Sequence, residues 1–282
     1  MFLFVPFVSF VVNILLILRL FASISIIFKF MTQPTDTPIY GIHPVEELLS
    51  ARRQDVEHVY FDKEKRSAAL FELLRICRRE RMSYNLVPEA KLDALAGTRR
   101  HQGVVAFCSV RPYDGAEVID EIAAAKAAPL FVVAASIEDP GNLGAIIRSC
   151  VCLGADALLL ERKNTVPLNA AVAKSSAGMF EHIRVVKPRN LEGLIEGLAR
   201  DRGFSVVGAA VEGGVPPESH DFRGPTVLVT GGEHRGIPPY LQKRCAATVT
   251  IPMNPLGQSL NASVAAAVLL YEIARQRKHC LN

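Results

Sequence analysis

Three short stretches place polar side chains where the surrounding apolar pattern gives no reason for them. Ile251–Ser263 reads IPMNPLGQSLNAS and runs directly into VAAAVLLYEIA, the pattern of a buried helix. A Ser or Asn at that boundary accepts a hydrogen bond from an orphan backbone N–H of the first turn. One cap needs one residue, yet Ser259, Asn261 and Ser263 all stand here, behind Pro252, Pro255 and Gly257. The second stretch, EDPGNLGAIIRS, sets Asn142 after a Pro-Gly turn and Arg148 two turns into a helix. Taken alone, these are an N-cap and a surface arginine. The third, TGGEHRGIPP, puts Glu233 behind Gly231 and Gly232, glycines that permit close backbone approach, ahead of prolines that open a helix. Taken alone, it is a strand-to-helix turn. Several chemistries are poorly supported. GGEHRG is not the GxGxxG of a dinucleotide site, and neither a Walker motif nor a GxSxG elbow occurs.

The elements that must carry these residues follow from periodicity. From Ile39 to about Val110 helical and strand patterns mix: GIHPVEELLSAR and AALFELLRICRRERM as helices, VEHVYFD, YNLVP and GVVAFCSV as strands. Residues 39–110 therefore form a small α/β domain. Residues 111–128, with YDGAE and an alanine-rich run closed by Pro129, read as a linker. Residues 129–280 alternate continuous apolar strands with amphipathic helices, the pattern of a mostly parallel sheet covered on both faces. In such sheets ligands bind beyond the carboxyl ends of the strands, and the three polar stretches all fall there.

The 282 residues carry a formal charge of +4, which permits an anionic partner without requiring one. The small domain is locally richer in cations. Arg78 and Arg79 in RRERM and Arg99 and Arg100 in TRRHQG are either a solvated face or a phosphate-contacting surface. Six cysteines stand without the Cys/His spacing of a zinc site, so no metal is expected; reduced, mostly buried thiols fit a cytoplasmic protein. Residues 1–30 are apolar for long enough to span a bilayer, interrupted by Asn13 and Arg19. The expectation is a start at Met31, with a membrane segment as the alternative if residues 2–28 are retained.

The three stretches, in this order, resemble a known set of signatures. NLGAIIR fits Asn-x-Gly-x-x-x-Arg, TGGEHRG fits Gly-x-Glu-x-x-Gly, and IPMNPLGQSLNAS fits Ile-Pro-Met to Ser-Leu-Asn-x-Ser. These are the motifs of the SpoU family of RNA 2′-O-ribose methyltransferases in the SPOUT superfamily. GIHPVEELL and HQGVVA look like the substrate-binding domain of the branch acting on a guanosine of large-subunit (23S) rRNA. A tRNA-directed member of the family and a catalytically inactive RNA-binding relative are the alternatives. Gly232, where many relatives carry Ser or Ala, and the His234-Arg235 pair are departures from the usual second motif.

The resemblance implies an α/β catalytic domain with a deep trefoil knot and a homodimer with its active site near the subunit interface. It implies S-adenosylmethionine held against Gly231, Ile251, Ser259 and Leu260. It also implies catalytic roles for Arg148, Asn142, Glu233 and Asn261. Arg148 is expected to stabilise charge and anchor a phosphate rather than act as a base, since a guanidinium resists deprotonation.

Overall fold

Two sheets organise the chain in a computed structural model that describes residues 37–108, 111–233, 235–254 and 256–278. The apolar segment 1–30 lies outside the described residues. Among these residues no helix is long and apolar enough to cross a membrane.

The first sheet has the order β1-β4-β2-β3, from β1 (Thr37–Tyr40), β2 (Val56–Asp62), β3 (Tyr84–Val87) and β4 (Val104–Cys108). Only β2 and β3 run parallel. A parallel pair needs a crossover, and helix α2 (Ala68–Arg79) supplies it. Ser67 caps α2 by accepting from Leu70 N at 3.2 Å, and Leu70, Leu73 and Cys77 make its buried stripe. Helix α1 (Ile42–Ala51) buries Val45, Leu48 and Leu49 in the same core. Helix α3 (Glu89–Ala96), which the sequence pattern did not mark, covers the other face with Leu92 against Val87 and Val105.

The second sheet is wholly parallel, with the order β10-β8-β9-β5-β6-β7. Its strands are β5 (Leu130–Ala134), β6 (Ala157–Leu160), β7 (Arg184–Val186), β8 (Ser205–Ala209), β9 (Thr226–Thr230) and β10 (Ala247–Val249). Every residue of β5, β6 and β9 is buried, which is why these strands read as continuous apolar runs. Side chains alternate between two cores. Leu130, Val132 and Ala134 face α5 (Pro140–Cys152), α6 (Ala170–Ser175) and α9 (Ala262–Arg277); Phe131 and Val133 face α4 (Glu117–Ala125), α7 (Leu191–Arg202) and α8 (Pro239–Gln242).

Helix α4 corrects the expectation of a linker over 111–128. Its Ile119 is fully buried against the second sheet, and Asp114 accepts from Val185 N at 2.8 Å beside β7. The stretch belongs structurally to the parallel sheet. The small sheet joins the larger one through buried charge: Arg52 Nε lies 2.9 Å from Glu181 Oε2, and Arg111 Nε lies 3.7 Å from the same oxygen. Gln102 adds a second tie, its Oε1 accepting from Ile42 N and from Lys174 Nζ, each at 3.0 Å.

Candidate active site

The loops after β5, β9 and β10 bring the three polar stretches together. Asp139, not Asn142, caps α5, accepting from Asn142 N at 2.8 Å. That corrects the cap reading of Asn142 and leaves its carboxamide free for tertiary contacts. Asn142 Nδ2 donates to Glu233 Oε1 at 3.1 Å, and Asn142 Oδ1 accepts from Asn261 Nδ2 at 3.0 Å. Asn261 Nδ2 also donates to Glu233 Oε1. The triangle contains one residue from each motif.

Asn261 also caps α9. Its Oδ1 accepts from Ser263 N at 2.9 Å, Ser263 Oγ at 2.6 Å and Val264 N at 3.3 Å. The carbonyl end holds the helix and the amide end holds the site, so the choice between cap and site wall dissolves at this residue. Ser263 acts through Asn261.

Glu233 stands on the wall between two clefts. The first, about 200 Å³, is lined by Ala209, Val249, Ile251, Met253 and Leu269 together with Gly231, Ser259 and Leu260. It is mainly apolar, with a few polar residues, Thr230, Glu233 and Ser259, in its lining, the usual make-up of a site for an organic cofactor. The second, about 450 Å³, is the more polar of the two and is lined by Ser136, Glu138, Asp139, Asn142 and Arg235. Gly232, Glu233 and Ala262 line both.

The glycines serve packing. A Cβ on Gly231 would overlap the backbone of Gly236 and Ile237, and one on Gly232 would overlap the Ser136 carbonyl. Gly231 thereby lets the loop fold back on itself, with Gly236 N donating to Gly232 O at 2.8 Å. Gly144, inside NLGAIIR, lets α5 approach α6, where a Cβ would stand 2.7 Å from Ser176 N.

Arg148 is not brought to this triangle. It is exposed on α5, lines neither cleft, and makes no hydrogen bond or ion pair among the described residues. Six residues of helix set it about 9 Å along the axis from Asn142 and turn it to another face. Arg235 is the cation on the polar cleft. The sequence reading noted it only as an unusual filling of the second motif. Of the four small-domain arginines, Arg79 is paired with Glu80 at 2.8 Å and Arg99 lies 3.8 Å from Asp93. Arg78 donates to the Tyr84 hydroxyl at 3.1 Å, and Arg100 is exposed.

A supporting carboxylate escaped the sequence altogether. Glu161, buried at the end of β6, accepts from Ser136 N at 2.6 Å, from Ser136 Oγ at 3.2 Å and from the Tyr240 hydroxyl. This holds Ser136 at φ +55°, and Ser136 carries the loop that leads to Asn142. Burial, and then Glu161 itself, pushes the Tyr240 hydroxyl above the usual phenol range, so it stays a donor.

Comparison with known proteins follows the same division of the chain. Residues 129–271 match the SpoU rRNA Methylase family and residues 38–113 match the domain described as RNA 2′-O ribose methyltransferase substrate binding. The chain belongs to the SpoU family. The 23S rRNA (guanosine-2′-O-)-methyltransferase RlmB of Pseudomonas syringae pv. tomato is 34% identical over 85% of this chain and 95% of that protein. An uncharacterized tRNA/rRNA methyltransferase of a Mycobacterium species is 35% identical over 85% of this chain and 76% of its own length. The SpoU methyltransferase AviRb from Streptomyces viridochromogenes, solved in complex with AdoMet, superposes with a TM-score of 0.72 at 27% identity, covering 86% of this chain and 91% of that one. The fold is accordingly the SPOUT α/β class expected of this SpoU chain, with a small N-terminal α/β domain.

Proposed function

We propose that this SpoU enzyme transfers the methyl group of S-adenosylmethionine to the ribose 2′-hydroxyl of a guanosine in 23S rRNA. The observation that carries the reading is the Asn142–Glu233–Asn261 triangle on the wall shared by an apolar and a polar cleft. Ile251, Met253, Leu260 and the Gly231 backbone suit the cofactor's adenine ring and methylene groups. Bound there, it supplies an electrophilic methyl group. In-line positioning of the hydroxyl supplies much of the rate enhancement, and the triangle is the part of this chain that provides it. Glu233 Oε1 is held by two amide donors, which leaves Oε2 to accept the hydrogen bond of the ribose hydroxyl. Arg235 on the polar cleft counters phosphate charge and the developing alkoxide.

Arg148 enters by a second copy of the chain. Leu260, Val264, Val268 and Tyr271 form an exposed apolar stripe on and before α9, the helix packed against α5. A homodimer covering this stripe buries apolar surface and carries Arg148 toward the partner's polar cleft. The compartment is the cytoplasm, where the ribosome's RNA is accessible. Both SpoU domains align with nearly the full length of RlmB, which supports rRNA over tRNA.

The test is methyl transfer from labelled S-adenosylmethionine to unmodified 23S rRNA and to bulk tRNA, with the product mapped by resistance of 2′-O-methylated linkages to alkali. Label confined to one guanosine of 23S rRNA is the expected result. Label in tRNA alone moves the substrate. No transfer to either, with the cofactor bound, leaves an RNA-binding relative.

A further inference from the structure

Away from the triangle, the small domain holds a cleft of about 290 Å³ between α2 and the edge strand β3. Its floor is Leu70 and Phe61, both buried, and its rim carries Phe71, 57% exposed, and Leu86, 52% exposed. Neither rim residue packs in any core of the described residues. Around them stand Lys65, Arg66 and Arg78, none of which pairs with a carboxylate among the described residues, although Arg75 and Arg79 on the same helix do.

The cations are held in place. Asp62 Oδ1 accepts from Glu64 N at 2.8 Å and from Lys65 N at 3.2 Å, fixing the turn after β2. Arg66 is fastened to Lys63 O at 2.8 Å, and Arg78 to the Tyr84 hydroxyl at 3.1 Å. Phe71 and Arg78 lie seven residues apart and share one face of α2, opposite Leu86. The cleft opens at the carboxyl ends of the parallel pair β2 and β3, where open α/β sheets take ligands.

We infer that this cleft is a docking subsite for one unpaired nucleotide of the RNA substrate, its base on Phe71 and Leu86 and its flanking phosphates on Lys65, Arg66 and Arg78. An exposed ring among free cations is the combination that binds single-stranded nucleic acid, the ring taking a base face and the cations the backbone. A duplex keeps its bases stacked and offers the ring nothing. The inference rests on the RNA methyltransferase reading and adds where, away from the reacting ribose, the enzyme grips its substrate.

The experiment uses the full chain and two probes, a 12-nucleotide oligouridine and a blunt RNA duplex of the same length, with binding read by fluorescence anisotropy across a salt series. Phe71→Ala is expected to weaken oligouridine binding roughly tenfold with an unchanged salt slope, and to leave duplex binding unaltered. Arg78→Ala and Lys65→Ala are expected to weaken both probes and flatten the slope. S-adenosylmethionine affinity is measured on each variant to establish an intact fold.

Unchanged oligouridine affinity in a folded Phe71→Ala protein overturns the inference, as does an equal loss on the duplex. A Phe71→Ala change in oligomeric state without a change in RNA affinity marks the patch as a protein contact and also overturns it. Failure of the activity reading looks different. Wild-type chain that binds oligouridine through Phe71 yet transfers no methyl group to any RNA removes that reading and leaves the subsite standing.

Discussion

Asn261 shows how much one side chain can be asked to do. Its carbonyl oxygen accepts the hydrogen bonds of Ser263 and Val264 at the start of α9, while its amide nitrogen reaches Asn142 and Glu233. Asn261→Asp separates the two tasks. A carboxylate remains a good cap, so stability measured by denaturant should change by no more than about 1 kcal/mol. The donor to Glu233 is gone and a like charge takes its place, so methyl transfer should fall roughly a hundredfold. An active Asn261→Asp enzyme would confine Asn261 to capping. In the sequence Asn261 was legible as a polar residue out of place; which atoms served which partner was not, because both partners lie far away along the chain.

At the scale of elements, the middle glycine of NLGAIIR is the informative one. In an exposed helix Gly→Ala stabilises by about 1 kcal/mol. Gly144 is fully surrounded, with Ser175 and Ser176 of the neighbouring helix segment against it, and Ser175 Oγ donates to Pro140 O at 2.7 Å. Gly144→Ala should therefore reverse the sign, destabilising the chain by about 1–3 kcal/mol in a denaturant titration. It should also weaken activity, since the displaced helix carries Asn142. A stabilised variant would mean that α6 yields easily. Periodicity located α5, α9 and the buried strands because burial on a fixed face repeats in the sequence. It missed α3, whose stripe is short, and it took 111–128 for a linker because alanine-rich, Pro-bounded sequence looks the same whether or not Ile119 finds a core.

At the scale of the whole molecule, a buried ion cluster joins the two sheets. Within the chain, the Glu181 side chain is fully buried between Arg52 and Arg111 at the junction of the two sheets. Arg52→Ala removes a partner from a buried charge and should cost on the order of 3 kcal/mol in a denaturant titration. Burial lifts the Glu181 carboxyl above its usual range against the pull of Arg52, Arg111 and His182. A carboxyl raised on folding contributes stability below its unfolded pKa and loses that contribution as pH rises through the folded value. Glu181→Gln keeps the neutral form at every pH. Its stability relative to the wild-type chain should thus increase as pH rises above about 4.

Between chains, the proposed dimer predicts a rescue. Arg148→Ala and Glu233→Gln should each abolish methyl transfer, and co-refolded mixtures should regain activity if Arg148 serves the partner's site. A mixture as inactive as its parents would return Arg148 to its own chain or remove it from catalysis.

The sequence by itself determined the family, the parallel sheet and the identity of Asn142, Glu233 and Asn261, because motif residues and buried strands are written locally. Tertiary structure alone decided that these three form one hydrogen-bonded triangle, that Gly231 packs against its own loop, and that Arg148 stands apart from the triangle. It also decided which of the small domain's many arginines are neutralised by neighbours and which remain free. The physical reason is common to all four: each depends on the distance between groups that are far apart in the chain, and that distance exists only once the strands have set their order.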